Sequence, residues 1–394
     1  MTTTIKNEQK KLNVPNSTDK GNAIRNVPHL RFPEFSGEWV SKTIGDIAPL
    51  QRGFDLPTGQ INNGKFPVVY SNGIMNYHSS YKCVAPGLIT GRSGTIGKFT
   101  YIEDGYYWPH NTSLWVTDFY DNNPQFIYYL YQTIRIEQYS TGSGVPTLNR
   151  NNVHRHKTFI PKLKEQNKIA TILSLLDERI STQTKIIDRL QTLIKGINKH
   201  VFTSNGINYK LEELCEIRSG YSGNQLTSKK GLKVSRIETI SGHKVNMERV
   251  GYVAPFESSE NYRLQVGDIL FSNINSVEYI GNTAFIDKDY NLYHGMNLLR
   301  LIPNDKVVMP FYLYLLLNTN KILNRFKTIC NKAVSQASIN QTELGKIVIQ
   351  IPDINAQKQI CELYQALYAK LESEKYANSL SQNQKQYLLR QMFI

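Results

Sequence analysis

A glycine-rich segment carrying four polar side chains is the part of the sequence best suited to touch another molecule. It reads Gly-Arg-Ser-Gly-Thr-Ile-Gly-Lys at residues 91–98, between strand-like runs at residues 88–90 and 99–102. The glycines allow a tight turn and close backbone approach, and the donors are Arg92, Ser93, Thr95 and Lys98. An arginine can donate to both O6 and N7 of guanine, whereas a lysine suits a phosphate. The segment predicts a DNA-probing tip; the alternative is a plain hairpin with solvated charges.

A second polar stretch occupies the corresponding place later in the chain. It reads Ser-Asn-Ile-Asn-Ser-Val-Glu-Tyr-Ile at residues 272–280 and is built of amides and hydroxyls. Asn273 and Asn275 suit the edges of adenine, and Ser276 adds a hydroxyl. The two polar stretches therefore differ in chemistry, since the first carries arginine and lysine and the second carries amides.

Further polar residues are weaker candidates for DNA contact. Residues 141–147 and 331–338 form polar loops before the last strand of each half, and they either approach phosphate or are flexible linkers. From these loops we predict contacts by Ser143, Thr147, Lys332 and Gln336. Arg52, which follows an apolar run, is predicted to line the same face in the first half, as are Tyr221 and Arg236 in the second.

The elements that position these residues occur twice, because the chain repeats once. The repeat is carried by residues 44–53 with 211–220, residues 124–130 with 310–316, and residues 148–169 with 339–360. Each copy contains β-branched and aromatic runs broken by Gly, Asn and Pro, a short helix opened by proline, and then Ile-Pro before a long helix. The sequence therefore predicts two homologous strand-rich bodies, each followed by a long helix.

Apolar residues at alternating steps of four and three predict that the two long helices pair as an antiparallel coiled coil. The predicted seam consists of Ile169, Leu173, Leu176, Ile180, Ile187, Leu190, Ile194 and Ile197 in the first helix, and Ile360, Leu367, Leu371 and Leu388 in the second. A helix over residues 165–200 would be roughly 54 Å long, which exceeds the half-site separation of about 34–36 Å in DNA-binding dimers. The alternative is that the helices join two copies of the protein.

Composition favours a polyanionic partner and gives little support to an enzyme. The 394 residues include 46 Lys+Arg and 32 Asp+Glu, for a net charge of +14. No apolar run is long enough to span a membrane, and the four cysteines form no CxxC pair, so we expect a cytoplasmic protein without a zinc module. His154 and His156 are predicted on one strand face without further ligands, so no metal site is expected. The spacing of an ATP-binding phosphate loop is absent.

The chain resembles a specificity subunit of a type I restriction-modification enzyme. The resemblance rests on Val-Pro-His-Leu-Arg-Phe-Pro-Glu-Phe-Ser-Gly-Glu-Trp at residues 27–39, the repeated Ile-Pro, the turn at residues 91–97 and the duplicated plan. It implies an α+β fold in which two target recognition domains are separated by a long antiparallel helix pair with pseudo-two-fold symmetry. The predicted segments are an arm (1–26), domain 1 (27–161), a spacer helix (162–204), domain 2 (205–352) and a second helix (353–394).

The same resemblance implies the function and the partners. Each recognition domain would bind one half of a bipartite double-stranded DNA target, and the helices would set the spacing and dock two modification subunits, with two restriction subunits joining the complex. This chain would bind no cofactor and catalyse nothing; S-adenosylmethionine, ATP and Mg would belong to the partner subunits. Two alternatives are a stand-alone DNA-binding regulatory protein and a self-sufficient modification enzyme.

Overall fold

The computed structural model of the protein describes residues 26–142, 144–202, 206–332 and 336–394. The chain divides into two compact units, one formed by residues 1–182 with 377–394 and the other by residues 183–376. Each unit holds one copy of the sequence repeat together with parts of both long helices. Apart from Asn26, the predicted arm at residues 1–26 lies outside the described residues.

The first copy is a strand-rich body that ends in a long helix. Its strands are β1 Val40–Thr43, β2 Leu50–Arg52, β3 Phe66–Tyr70, β4 Gly73–His78, β5 Cys83–Val84, β6 Gly87–Gly91, β7 Phe99–Ile102, β8 Tyr106–Pro109, β9 Ser113–Val116, β10 Ser140–Thr141, β11 Thr147–Leu148 and β12 Lys157–Ile160. Its helices are α1 Ile44–Ile47, α2 Pro124–Thr133, α3 Arg150–His154 and the long α4 Leu163–Val201.

The second copy has the same succession of elements with a different middle part. Its strands are β13 Ile207–Lys210, β14 Cys215–Ser219, β15 Leu232–Val234, β16 Gly251–Val253, β17 Ile269–Phe271, β18 Ile274–Asn275, β19 Thr283–Phe285, β20 Leu299–Pro303, β21 Asn331–Lys332, β22 Ala337–Ser338 and β23 Val348–Ile351. Its helices are α5 Leu211–Leu214, α6 Pro310–Leu317, α7 Asn320–Ile329, α8 Gln341–Gly345 and the long α9 Ile354–Gln391.

Sheet topology confirms the predicted duplication. The central sheet of the first unit has the order β2-β9-β6-β7, and that of the second has the matching order β14-β20-β17-β19. In each copy the first strand pairs antiparallel with the last, β1 with β12 and β13 with β23. A second sheet, β4-β3-β8-β5, belongs to the first unit, whereas the second has the β15-β16 pair in its middle part. The α+β fold class is therefore confirmed, with a shared framework around different insertions.

A buried glutamine fixes the start of each long helix to its body. Gln166 accepts a hydrogen bond from the main-chain N of Asn123 at 2.9 Å and donates to the carbonyl of Pro161 at 3.0 Å. Gln357 repeats this in the other unit, accepting from Met309 N at 2.8 Å and donating to Pro352 O at 2.9 Å. Asn123 and Met309 precede α2 and α6, each of which begins with the predicted proline. The repeated glutamine therefore joins three elements in the same way in both copies.

Each unit packs a piece of α4 against a piece of α9. In the first unit, the start of α4 shares a core with the end of α9, and the seam residues in that core are Ile169, Leu173, Leu176 and Leu388. In the second unit, the end of α4 packs with the start of α9, and the seam residues there are Ile187, Leu190, Ile194, Ile197, Ile360, Leu367 and Leu371. Start meets end in both units, so the helices run antiparallel. Ile180 is partly buried.

One local prediction was wrong. His154 lies in α3 rather than on a strand, and His156 precedes β12. The cause is the preceding Asn149, whose side-chain oxygen accepts a hydrogen bond from the main-chain N of Asn151 at 3.0 Å and so caps a short helix. Asn340 caps α8 at the equivalent place in the second copy.

Candidate nucleic-acid interface

A cleft in the first unit brings together residues from five separate segments. Its volume is about 710 Å³. It lies where β2 and β6 end and β9 begins, beside β10, β11 and the start of α3. Its lining is polar and basic: Gln51, Arg52, Gly53, Phe54, Asp55, Arg92, Leu114, Thr141, Thr147, Leu148, Asn149 and Arg150. Three of the predicted contact residues, Arg52, Arg92 and Thr147, therefore face one space.

Backbone hydrogen bonds hold the predicted tip against the polar loop. The main-chain N of Leu148 donates to the carbonyl of Arg92 at 2.7 Å, and Ser93 forms a β-bridge with Thr147. Gly91 allows the following turn, because a Cβ at that position would lie 1.6 Å from the carbonyl oxygen of Thr95. Arg92 is thus placed at the first position after the buried strand β6, at the wall of the cleft.

The cleft has an excess of positive charge. Arg52 pairs with Asp55 at 3.4 Å, but both side chains are more than half exposed, so this pair neutralises little. Arg92 and Arg150 form no ion pair within the part of the chain that the structure describes. Three guanidinium groups beside one carboxylate favour a polyanion such as a DNA backbone.

Three predicted tip residues, Ser93, Thr95 and Lys98, lie outside the cleft lining. Lys98 donates through Nζ to the carbonyl of Asn72 at 2.6 Å, which holds its ammonium beside the turn between β3 and β4. Thr95 is exposed at the end of the tip. Ser143 falls outside the described residues. The tip residues are therefore divided between the cleft wall and an exposed turn.

A histidine behind the cleft is held neutral by its surroundings. His154 Nε2 accepts a hydrogen bond from the main-chain N of Leu50 at 2.8 Å. Burial lowers the pKa of His154, and the neighbouring Arg150 lowers it further. The positive charge of this region consequently comes from the arginines and not from the histidine.

In the second unit, a three-stranded sheet gathers the candidate residues. Its order is β18-β22-β21, and Ala337 lies opposite both Asn275 and Lys332. Gln336 precedes β22 and is exposed, as is Lys332. The main-chain N of Ile339 donates to the carbonyl of Asn273 at 2.9 Å. Asn275 and Lys332 therefore lie on one small sheet, and Asn273 and Gln336 lie directly beside its strands.

The two asparagines of this sheet differ in how far their amides are occupied. Asn275 donates to the hydroxyl of Ser272 at 3.1 Å and accepts from the main-chain N of Ser276 at 2.8 Å, so its amide shapes the turn. Asn273 donates to the carbonyl of Ile339 at a long 3.4 Å. Its Oδ1 is buried and accepts no hydrogen bond from the described residues. The amide of Asn273 is therefore less occupied by hydrogen bonds within the unit than the amide of Asn275.

Tyr221 and Arg236 are not part of this sheet, and each contacts other residues. The ring of Tyr221 stacks on Phe256 with centroids 3.8 Å apart and an angle of 5°, and its edge meets Tyr262. Arg236 is exposed and pairs with Glu238 at 3.5 Å. The ring face of Tyr221 is consequently used in packing.

A buried ion pair supports the sheet beneath the second site. Arg300 of β20 bonds Asp268 at 2.7 Å, and both side chains are at most 6% exposed. Burial raises the pKa of Asp268, while a main-chain hydrogen bond from Gln265 and the charge of Arg300 act in the opposite direction. The pair fixes β17 against β20 just before the segment that carries Asn273.

Sequence reasoning missed Arg150 as a cleft residue. The signal was present: Arg150 follows Asn149, and an asparagine that caps a helix places the next side chain at the helix start.

Among the described residues, no group of three or more His, Cys, Asp or Glu could hold a metal ion. No helix in the described ranges is long and apolar enough to cross a membrane. The four cysteines are buried and free.

Comparisons with known proteins match one family model and specificity subunits of type I restriction enzymes. The model of a family described as type I restriction modification DNA specificity domain matches residues 36–192 and again residues 207–380. A putative type I restriction enzyme MjaX specificity subunit of Methanocaldococcus jannaschii is 44% identical over 158 residues, covering 39% of this chain and 37% of that protein. The MjaVIII specificity subunit of the same organism is 26% identical over 268 residues, covering 59% of this chain and 61% of that protein.

These matches span less than two thirds of the length of either curated relative. Among solved structures, the S subunit of a type I restriction-modification system from M. genitalium has a TM-score of 0.67 at 18% identity. That similarity covers 93% of this chain and 99% of the solved one, and it concerns the fold.

Proposed function

Because the chain belongs to the type I restriction-modification DNA specificity family, we propose that each of its two repeated bodies binds one half of a bipartite double-stranded DNA target. The observation that carries this proposal is the cleft of the first unit, where Arg52, Arg92 and Arg150 converge from three segments. Guanidinium groups in an open polar cleft suit both phosphates and guanine edges. The second body supports the proposal through its repeated framework and its different polar tip.

In this proposal the long helices fix the distance between the two half-sites. The helix α4 has 39 residues, which corresponds to roughly 58 Å. That length exceeds one turn of DNA, the usual spacing of half-sites bound by dimeric proteins. The buried joints at Gln166 and Gln357 favour a defined angle between each body and its helix.

The chemistry would belong to other subunits. We place two modification subunits on the helices, with two restriction subunits joining the complex. S-adenosylmethionine, ATP and Mg would bind to those partners, and this chain would choose the DNA sequence without catalysing a reaction. The family to which the chain belongs supports this division of labour.

A reconstituted complex tests the proposal. The full chain is co-expressed with a cognate modification subunit, the stoichiometry is measured by mass photometry, and the methylated sites are mapped on genomic DNA. We expect two modification subunits per chain and a split motif. Replacing residues 91–98 by residues 272–280 should change one half of the motif only. A chain that ignores the modification subunit and binds DNA alone would instead favour the stand-alone regulatory protein.

Salt dependence tests the role of the cleft arginines separately. Arg52→Ala and Arg150→Ala should each weaken DNA binding by the complex and reduce the slope of log K against log salt by about 1, because each removes one phosphate contact. Lys65→Ala removes the same charge outside the cleft lining and serves as the matched control. Equal slopes for all three variants would contradict a DNA-binding role for the cleft.

A further inference from the structure

The two candidate DNA sites can be compared residue by residue through their backbone hydrogen bonds. The carbonyl of Arg92 accepts from Leu148 N at 2.7 Å, and the carbonyl of Asn273 accepts from Ile339 N at 2.9 Å. Leu148 and Ile339 hold equivalent places in the repeat, each directly before an asparagine that caps a short helix. Arg92 and Asn273 are therefore structural counterparts.

A second pair of counterparts follows from strand register. Arg52, at the end of β2, lies opposite Leu114, and Ser219, at the end of β14, lies opposite Leu299. Each of these leucines also lies opposite the residue two positions before Arg92 or Asn273. The register is thus identical in the two copies, and Ser219 stands where the first copy has Arg52.

The third pair lies at the start of the short helices. Arg150 is the first residue of α3, and Gln341 is the first residue of α8. Oγ of Ser219 lies 3.5 Å from Oε1 of Gln341. Ser219 and Gln341 are therefore neighbours in the second unit, as Arg52 and Arg150 share a cleft in the first.

At all three positions the first copy has arginine and the second has a neutral hydrogen-bonding side chain. Arg218, the residue next to Ser219, forms two hydrogen bonds of 2.7 and 2.9 Å with Glu216, and both side chains are about half exposed. Lys332 lies on the three-stranded sheet β18-β22-β21 of the second unit, and the ammonium group of a lysine suits a phosphate.

We propose that the two half-sites differ in base identity at the equivalent position, with guanine facing Arg92 and adenine facing Asn273. This inference rests on the proposed function. A guanidinium donates to both O6 and N7 of guanine, whereas an amide accepts from N6 and donates to N7 of adenine. Arg52 and Arg150, both exposed at the rim of the cleft, contact phosphates.

The state of Asn273 in the free protein favours this assignment. Its hydrogen bond to Ile339 is long at 3.4 Å, so the amide can turn towards DNA at small cost. Its Oδ1 has no donor among the described residues. A buried acceptor without a partner costs free energy, which the N6 amino group of adenine would offset on binding.

The test is sequence selection from a random DNA library by the reconstituted complex of the full chain with its modification subunits. Three chains are compared: the unaltered protein, Arg92→Asn and Asn273→Arg. Arg92→Asn should convert one guanine preference to adenine in one half of the motif, and Asn273→Arg should make the opposite change in the other half. Each original preference should fall by roughly 5- to 150-fold, which is the discrimination that a good bidentate pair gives.

Two further variants keep the result decisive. Arg92→Lys retains the charge and is the substitution least disruptive to folding, yet it loses the planar fork, so it should relax the guanine preference while DNA binding persists. Lys65→Ala should leave both halves of the motif unchanged.

The possible failures are distinguishable. A complex of the unaltered chain that selects no split motif would overturn the proposed function itself. A split motif that is insensitive to Arg92→Lys and Arg92→Asn, or whose affected position is not guanine, would overturn the present inference alone. The same holds for Asn273→Arg if the affected position is not adenine.

Discussion

Lys385 of α9 donates a hydrogen bond to Asp177 of α4 at 2.6 Å. The other oxygen of the same carboxylate accepts from the hydroxyl of Tyr129 in α2 at 2.9 Å, and Lys385 Nζ lies 5.3 Å from the centroid of the Tyr129 ring. Lys385 of α9 thus has two partners, the carboxylate of Asp177 and the ring of Tyr129. The network ties both long helices to the first body.

Removing the carboxylate should destabilise the first unit more than removing the lysine. Asp177→Ala leaves Lys385, which is only 13% exposed, without its counter-charge, so we expect a loss of about 2 kcal/mol. Lys385→Met keeps the apolar stem and should cost less. Urea unfolding of the full chain measures both. Glu343→Ala, which breaks an exposed pair with Lys346, is the control and should cost less than about 1 kcal/mol.

The helix seam yields a matched pair of leucines. Leu173 is 0% exposed, whereas Leu175, two residues later on the same helix, is 59% exposed. Leu173→Ala should lower the free energy of unfolding by roughly 2–5 kcal/mol through lost burial and a residual cavity, and Leu175→Ala by less than about 0.5 kcal/mol. Thermal unfolding monitored by circular dichroism compares the two. Similar losses for both variants would show that α4 is not packed along this face.

A buried histidine should make the second unit sensitive to acid. His294 is 1% exposed, and Nε2 lies 3.0 Å from the carbonyl oxygen of Leu298. Burial lowers the pKa of His294 to about 4, below the value of the unfolded chain. The unfolded state therefore takes up a proton first, and stability falls as the pH drops from about 6.5 towards about 4.

The size of this effect can be measured with urea. Between pH 7 and pH 5, the folded protein should lose about 2 kcal/mol through His294. His294→Gln should reduce that loss, whereas the exposed His29→Gln should leave it as in the unaltered protein. An unchanged pH dependence in His294→Gln would contradict the assignment of a neutral, buried imidazole.

The architecture could be predicted because it depends on regular signals. Apolar residues at steps of three and four predicted α4 and α9, and the prolines at the starts of α2 and α6 predicted those helices. The repeated Ile-Pro and glutamine marked equivalent joints. Each of these signals acts through local backbone geometry or through one periodic face, and both can be recognised without coordinates.

The site could be predicted only in part, because it depends on how distant segments meet. Arg52, Arg92 and Thr147 line one cleft, and Arg150 joins them through the cap formed by Asn149. The ring of Tyr221 packs against Phe256. These residues are 35 positions apart, and no periodic pattern in the sequence predicts their contact. The pairing of Arg218 with Glu216 depends on side-chain direction within one strand.

The buried glutamines at the helix starts have a consequence for how such a protein can change. Gln166 and Gln357 hold main-chain atoms of Asn123, Pro161, Met309 and Pro352, and none of those atoms belongs to the side chains of the two candidate DNA sites. Mutations at the recognition surfaces can therefore accumulate while the orientation of each helix relative to its body is preserved. Under the proposed function, a new DNA preference would not require the enzyme assembled on the helices to be rebuilt.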